Sequence, residues 1–182
     1  MPKTSTTNKN TLIDATIKIL DDAKGMDGLT VDALANKLKM SKSTLYKHFE
    51  GLDDLIYATI EQLCTQTDAE LGEVFTAGTP MDTFHDVASL YGRYAERMPV
   101  ALFVQRSKIP AHARLRLENT EERLGERMFR AAMGTGASSY IAHGVRSAYE
   151  GVVRSTARTL SWEERAMPVA ELTSMFRRSL QK

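Results

Sequence analysis

Apolar side chains recur along this chain at spacings of three and four residues, the period of an α-helix that buries one face. The pattern is clear in residues 30–55, where it marks the inner faces of two short helices: Val31, Leu34, Ala35 and Leu38 on the first, and Leu45 and Phe49 on the second. Thr30 and Ser41 stand where N-cap residues belong, and Met40 lies in the turn between the helices. These positions predict a helix-turn-helix.

The rest of the chain also shows helical periodicity, without the alternation that predicts strands. Glycines and prolines divide it, and Thr79 followed by Pro80 is a typical helix start. The further predicted helices span 10–24, 52–76, 81–97, 111–133, 137–160 and 168–180, with a short helix between Pro99 and Pro110. We therefore expect an all-α fold of about nine helices.

The outer face of the second helix in the helix-turn-helix is polar and basic. From Lys37 to His48 the chain has four lysines and no acidic residue, which is typical of a helix that enters the major groove of DNA. The candidate DNA-binding residues are Thr30, Lys42, Ser43, Thr44, Tyr46, Lys47 and His48. The alternative is the solvated face of an ordinary helical hairpin.

Side-chain chemistry divides the roles of these candidates. Ser43 and Thr44, near the helix start, are placed for base edges, and the other candidates are placed for phosphates. Lys42 and Lys47 are also able to donate to guanine. No arginine precedes Arg93 in the chain, so bidentate arginine–guanine contacts are not available to this segment.

The motif Ser-Thr-Leu-Tyr-Lys-His-Phe at 43–49, followed by Glu-Gly-Leu-Asp-Asp-Leu at 50–55, resembles the TetR family of bacterial repressors. The resemblance is specific over about residues 10–60 and only architectural beyond them. It implies a recognition helix, a short turn and a long fourth helix. Many family members begin that helix with a lysine that meets a DNA phosphate, whereas this chain has Leu52 there. The amides of residues 52–54 are an alternative phosphate contact.

The charges are unevenly distributed along a chain whose formal net charge is only +1. Residues 1–60 hold eight lysines and eight acidic residues, residues 61–96 hold seven acidic residues and one base, and residues 97–182 hold fifteen bases and eight acidic residues. The expected DNA footprint is therefore local to the helix-turn-helix and is not a field of the whole chain.

The sequence shows no sign of a membrane or secreted protein. It has one cysteine, Cys64, and no run of eighteen apolar residues. The polar N-terminus lacks the apolar segment of a signal peptide, and residues 1–9 are expected to form a disordered arm. We expect a cytoplasmic protein without a membrane partner.

A second set of residues suggests a ligand pocket in the C-terminal part. By resemblance to the family, an inducer binds there, in a mostly apolar cavity with few polar anchors. The candidate ligand-binding residues are Leu63, Thr67, Phe84, Tyr91, Tyr94, Phe103, His112 and Met128. The alternative is that they form plain hydrophobic core. Arg106, Arg114 or Arg116 would accept a carboxylate if the ligand carries one.

Small and apolar residues on the last two predicted helices suggest a dimer interface. The candidates are Tyr140, Ile141, Gly144, Val145, Ala148, Gly151, Val152, Ser155, Leu172, Met175 and Phe176. The family resemblance implies a four-helix bundle built from two helices of each subunit. The alternative is that these residues pack within one chain.

Several chemistries have no support in the sequence. The four histidines and Cys64 lie on separate elements, so we expect no metal site. Motifs for phosphate loops, nucleophile elbows and zinc proteases are absent, so we expect neither an enzyme nor a cofactor.

The sequence predicts three parts: the arm at 1–9, a helix-turn-helix DNA-binding domain at 10–51, and a helical ligand-binding and dimerisation domain at 52–182. The expected function is a TetR-type repressor. It would bind near-palindromic operator DNA as a homodimer and be released by a small, mostly apolar inducer, which is not identified. The alternatives are a DNA-binding protein of the same fold that is not ligand-gated, and a helical enzyme or cofactor carrier.

Overall fold

The computed structural model describes residues 8–22, 25–74, 78–156, 164 and 166–180. Within these ranges the chain is all-helical and contains no strand, which confirms the predicted fold class. The helices are α1 Lys9–Leu20, α2 Gly25–Gly28, α3 Val31–Leu38, α4 Lys42–Tyr46, α5 Leu52–Glu73, α6 Pro80–Arg97, α7 Val100–Val104, α8 Ala111–Gly134, α9 Ser139–Thr156 and α10 Ala166–Leu180, with a 3₁₀ turn at Arg106–Lys108.

The helix boundaries differ from the prediction in a few places. The described part holds ten α-helices rather than nine, because residues 25–28, predicted to end the first helix, form the separate helix α2. Helix α1 begins at Lys9 because the Asn8 side chain caps it, accepting from the amide of Thr11 at 2.9 Å. Residues 1–7 of the predicted arm, and the predicted helix ends at Thr76 and Leu160, lie outside the described residues.

The chain divides into two compact units, and the division falls inside α5 and α8. Unit 1 comprises Met1–Gln62 and Pro99–Arg114, and unit 2 comprises Leu63–Met98 and Leu115–Lys182. The segment Pro99–Arg114 therefore belongs by its contacts to the N-terminal unit, although it is distant in sequence. The functional boundary at residue 51 that the sequence suggests remains a prediction.

The core of unit 1 holds the helix-turn-helix. Its fully buried leucines are Leu12, Leu20, Leu34, Leu45, Leu55 and Leu102. Thr30 caps α3 as predicted, since its hydroxyl accepts from the amide of Ala33 at 3.0 Å. The turn between α3 and α4 contains Lys39 at φ 51, a left-handed conformation that only a few residue types adopt readily. Burial of Leu45 and Phe49 leaves the rest of α4 facing outward.

The segment 99–114 is fastened to the helices of unit 1 by polar contacts. The side chain of Gln105 accepts from the amide of Met26 at 2.7 Å, and Asp21 accepts from the amide of Val100 at 3.0 Å. Gly25 lies under Gln105 at φ +49, where a Cβ would come within 2.7 Å of the Gln105 oxygen. Glycine therefore relieves both backbone strain and a steric overlap at this position.

Unit 2 is built around α6. A capping box formed by Thr79 and Asp82 starts this helix, with Pro80 in its first turn as predicted. Helix α10 packs against α6 and α9, and the fully buried Tyr149 of α9 lies at 6.4 Å from Phe84 of α6 between ring centroids. Burial raises the pKa of Tyr149 to about 12. None of the helices in the described ranges has both the length and the apolar composition to cross a membrane.

Gly25→Ala is expected to lower the free energy of unfolding by about 2 kcal/mol, because alanine is strained at a left-handed φ and its methyl group overlaps Gln105. Urea denaturation followed by circular dichroism measures the change. The control is Gly72→Ala in α5, where a Cβ meets nothing within 4 Å and helix propensity predicts a gain of up to about 1 kcal/mol. Equal stability of the two variants would contradict the described fit of Gln105 over Gly25.

Candidate functional site

Helix α4 presents the residues that the sequence predicts to contact DNA. Leu45 is fully buried, whereas the Tyr46 side chain is 56% exposed. Lys42, Ser43 and Lys47 are also exposed, and Thr44 and His48 are half-buried. Six of the seven candidates thus lie on this short helix and the turn that follows it, and the seventh, Thr30, caps the neighbouring α3.

An ion pair joins the first turns of α3 and α4. The ammonium of Lys42 lies 2.6 Å from the carboxylate of Asp32, and both side chains are exposed. The hydrogen bond from Lys42 to Asp32 and the negative charge of Asp32 raise the pKa of Lys42. The sequence analysis missed this pair because Asp32 lies before the acid-free stretch and on the other helix. Lys42 therefore carries a counter-charge, whereas Lys47 has no salt bridge among the described residues.

The hydroxyl groups at the start of α4 form a cluster. Ser41 occupies the N-cap position as predicted, but its side chain makes no capping bond to a backbone amide. Instead its hydroxyl lies 2.7 Å from that of Ser43 and 3.0 Å from that of Thr44. The two candidates for base contacts are thus held by a common neighbour, which orients their hydroxyls before any DNA is bound.

The turn after α4 leads directly into α5. The Asp54 carboxylate accepts from the amide of Glu50 at 3.0 Å, and Asp53 also lies in the first turn of α5. Both carboxylates therefore lie where they stabilise the positive end of the α5 dipole. Leu52, at the first position of α5, is half-buried.

The predicted ligand-binding residues are divided between the two units. In unit 2 the buried members are Leu63, Thr67, Phe84, Tyr91, Tyr94 and Met128. In unit 1, Phe103 is buried and His112 is exposed, with its ring 5.1 Å from that of Tyr57. The hydroxyl of Thr67 donates to the carbonyl of Leu63 at 3.0 Å, which satisfies it within α5.

Three pockets in the described part of unit 2 are lined by other residues. One of about 640 Å³ is an open groove along α8 that contains Arg116, Glu122 and Arg123. Another, of about 340 Å³, lies between α6 and α10 and includes His85, Arg93 and Thr173, while a third of about 250 Å³ lies near Pro80. None of the eight candidate ligand-binding residues lines these three pockets; Arg116, suggested as a receptor for a carboxylate, lines the first of them.

Buried polar groups in unit 2 were not foreseen from the sequence. Glu70 of α5 accepts hydrogen bonds from Arg93 at 2.8 Å and from Arg97. Burial alone would raise the pKa of Glu70, but the two arginines outweigh it and hold the pKa below its usual value. The phenol of Tyr91 and two guanidinium nitrogens of Arg97 are buried and have no hydrogen-bond partner within the described ranges. The spacing of Arg93 and Arg97 by four residues was the available signal for a shared acidic partner.

Asp68 of α5 accepts hydrogen bonds from two arginines of α8. Arg116 donates to Asp68 at 2.9 Å and to Thr120 at 2.6 Å, and Arg123 donates to Asp68 at 2.5 Å. Arg116, one of the carboxylate receptors suggested by the sequence, is thus already engaged within the chain. Among the described residues, no group of three or more histidine, cysteine, aspartate or glutamate side chains is arranged to hold a metal.

Most candidates for the dimer interface lie on the surface of unit 2. Tyr140 is 89% exposed, and Met175 is 58% exposed. Val145 is fully buried within the chain, and Phe176 stacks on Tyr149 at 6.2 Å between ring centroids. The other candidates, Ile141, Gly144, Ala148, Gly151, Val152, Ser155 and Leu172, are exposed or half-buried. A Cβ at Gly144 or Gly151 would meet nothing within 4 Å.

Comparisons with solved structures identify the fold. A TetR-family transcriptional regulator from Thermus thermophilus, PfmR, matches with a TM-score of 0.71 at 18% identity, over 96% of each chain. The regulator AibR, solved with isovaleryl coenzyme A and operator DNA, matches with a TM-score of 0.71 at 12% identity, over 92% of this chain and 96% of AibR. FadR from Bacillus subtilis, solved with stearoyl-CoA, matches with a TM-score of 0.63 at 12% identity, over 91% of this chain and 97% of FadR.

Comparisons of sequence add a match to the N-terminal segment. No curated protein matches the chain. The sequence model of bacterial regulatory proteins of the tetR family matches residues 12–59, the segment that holds α3, α4 and the start of α5. Residues 12–59 thus match the sequence model of the tetR family, and nearly the whole chain has the fold of TetR-family transcriptional regulators.

Proposed function

We propose that this protein is a ligand-responsive transcriptional repressor that binds operator DNA as a homodimer. The observation that carries the proposal is the exposed polar face of α4, held over a buried apolar face, within the segment that matches the family. In a dimer, two such helices would enter major grooves about one DNA turn apart, roughly 34–36 Å, or a multiple of that distance. A near-palindromic operator is the sequence that suits this symmetry.

The proposed domains follow the sequence. Residues 10–51 would bind DNA, and residues 52–182 would bind the ligand and form the dimer. AibR and FadR are each described with an acyl-coenzyme A, which supports a ligand with an apolar part for this chain. To act as an inducer, the ligand must bind the DNA-incompetent state more tightly, and a preference of about 1–3 kcal/mol changes DNA affinity roughly 5–150-fold.

A second candidate is a DNA-binding protein of the same fold that no ligand controls. It is favoured by one observation: the three pockets of unit 2 described above are not lined by the predicted ligand-binding residues. A small-molecule screen that records thermal stabilisation and operator release together separates the two functions. Ligands that release the operator support the proposal, whereas ligands that stabilise the protein without changing its DNA affinity support the second candidate.

Lys47→Ala should weaken operator binding and flatten its salt dependence, because Lys47 is exposed on the α4 face and has no salt bridge within the described chain. The loss of one phosphate contact per half-site reduces the slope of log affinity against log salt by about two for a dimer. Fluorescence anisotropy at several salt concentrations measures the slope. Lys18→Ala, an exposed lysine of α1, is the control and should leave it unchanged. An unaltered slope in Lys47→Ala would remove Lys47 from the DNA interface.

Asp32→Asn should strengthen operator binding at low salt, because it removes a negative charge beside the proposed interface and frees Lys42 from its ion pair at 2.6 Å. If Lys42 then reaches a phosphate, the salt slope steepens by about two for the dimer. The double variant Asp32→Asn with Lys42→Ala is the control and should lose this gain. Equal affinity of Asp32→Asn and the wild type would mean that Lys42 does not approach the DNA.

Gly151→Arg should convert the dimer to a monomer and abolish operator binding, because a Cβ at Gly151 meets no described atom within 4 Å, whereas the arginine would obstruct the proposed interface. Light scattering reports the mass, and circular dichroism confirms that helicity is retained. Gly72→Arg, at an equally open position of α5, should remain dimeric. A Gly151→Arg variant that is still a dimer would place the interface elsewhere.

A further inference from the structure

The guanidinium of Arg97 has one edge that is buried and unused. Arg97 is the last residue of α6, and only 18% of its side chain is exposed. One of its terminal nitrogens, Nη1, donates to Glu70. The other two nitrogens, Nε and Nη2, are buried and have no hydrogen-bond partner among the described residues. An arginine that is paired on one side only is unusual in an interior, because a buried donor without an acceptor destabilises the fold.

The two unpaired nitrogens are arranged to bind an oxyanion. Nε and Nη2 lie on the same edge of the planar guanidinium, so their N–H groups point in parallel and match the two oxygens of a carboxylate. A lysine would not offer this fork.

The local charge also favours the binding of an anion. Two arginines, Arg93 and Arg97, share the one carboxylate of Glu70. Arg93 is about half exposed, and its Nε donates to Glu70 at 2.8 Å. The pair of arginines therefore carries one more positive charge than this acid neutralises. Burial strengthens the attraction between that excess charge and an entering anion.

Arg116, in the arginine cluster around Asp68, provides a comparison because its side chain is paired within the protein. Arg116 uses Nη1 for Thr120 at 2.6 Å and Nη2 for Asp68 at 2.9 Å. Its donors are thus satisfied by the chain itself. Arg97 differs because its Nε/Nη2 edge is buried and meets no acceptor in the part of the chain that the structure describes.

We propose that the Nε/Nη2 edge of Arg97 anchors the carboxylate of an organic acid. The proposal refines the repressor function above, since it gives the ligand of unit 2 an acidic end as well as an apolar body. Both nitrogens are covered in the present structure, so the acid enters with a rearrangement at the end of α6. There the helix stops and Met98 takes an extended conformation at ψ 123.

Isothermal titration calorimetry tests the anchor without DNA. The probes are sodium octanoate and sodium benzoate, with octanamide and benzamide as neutral counterparts and inorganic phosphate as a second oxyanion. The dimeric full-length protein is compared with Arg97→Lys, which keeps the charge near Glu70 but lacks the fork. The matched control is Arg93→Lys, which alters the other arginine of Glu70 and leaves the Arg97 edge intact. Thermal melting and circular dichroism verify that each variant is folded.

At least one of the two acids is expected to bind the wild type and Arg93→Lys, and to bind Arg97→Lys about ten- to a hundredfold more weakly. The amides should bind none of the proteins measurably. Binding of phosphate alone, equal binding of acid and amide, or acid binding that is insensitive to Arg97→Lys would each overturn the proposal, as would no binding of either acid to the wild type. Because the assay contains no DNA, such a failure leaves operator binding to be judged by the Lys47 measurement.

Discussion

The burial of Leu45 and Phe49 fixes the orientation of α4, and the proposed DNA-binding surface depends on that orientation. A helix of five residues, Lys42–Tyr46, is far too short to be stable alone, because helix nucleation is costly and each added residue contributes little. Packing of α4 against α3, with Leu45 fully buried, therefore stabilises a helix that its own propensity would not. The polar residues face outward because the two apolar ones are held inward. A change in that core would thus disturb DNA binding without touching a DNA contact.

Periodic burial made much of this fold predictable from the sequence. Spacings of three and four indicated α3 and α4 and placed α6 to within a residue, and caps such as Thr30 and Thr79 marked helix starts. These signals are local, so they can be recognised in the sequence without knowledge of the tertiary structure. Pairs of residues that are distant in sequence were not predictable. The contact of Gln105 with Met26 joins residues 79 positions apart, and no periodicity in either segment indicates it.

In the candidate sites, too, features within one helix were predictable from the sequence, whereas contacts between helices were not. Exposure of Lys47 and burial of Leu45 follow from the helical period, whereas the ion pair of Lys42 with Asp32 required the crossing of two helices. In unit 2, hydrophobic composition predicted that Tyr91 and Tyr94 are buried but not which hydroxyl finds a partner. The phenol of Tyr94 donates to Glu121 at 2.7 Å, while burial raises the pKa of the unpartnered Tyr91 hydroxyl.

The chain connects the two units through continuous elements, and this constrains how a ligand would act on DNA binding. Helix α5 runs from Leu52, just after the α4 turn, to Glu73, three residues beyond the acid that binds Arg93 and Arg97. At Met98 the chain leaves α6 and enters the segment whose Gln105 holds the amide of Met26. An acid on Arg97 would thus act beside one of the three covalent connections between the units, which lie inside α5, after Met98 and inside α8. Its influence cannot exceed its difference in affinity for the two states, so the Arg97 edge, which is buried here, generates that difference only if the DNA-incompetent state exposes it.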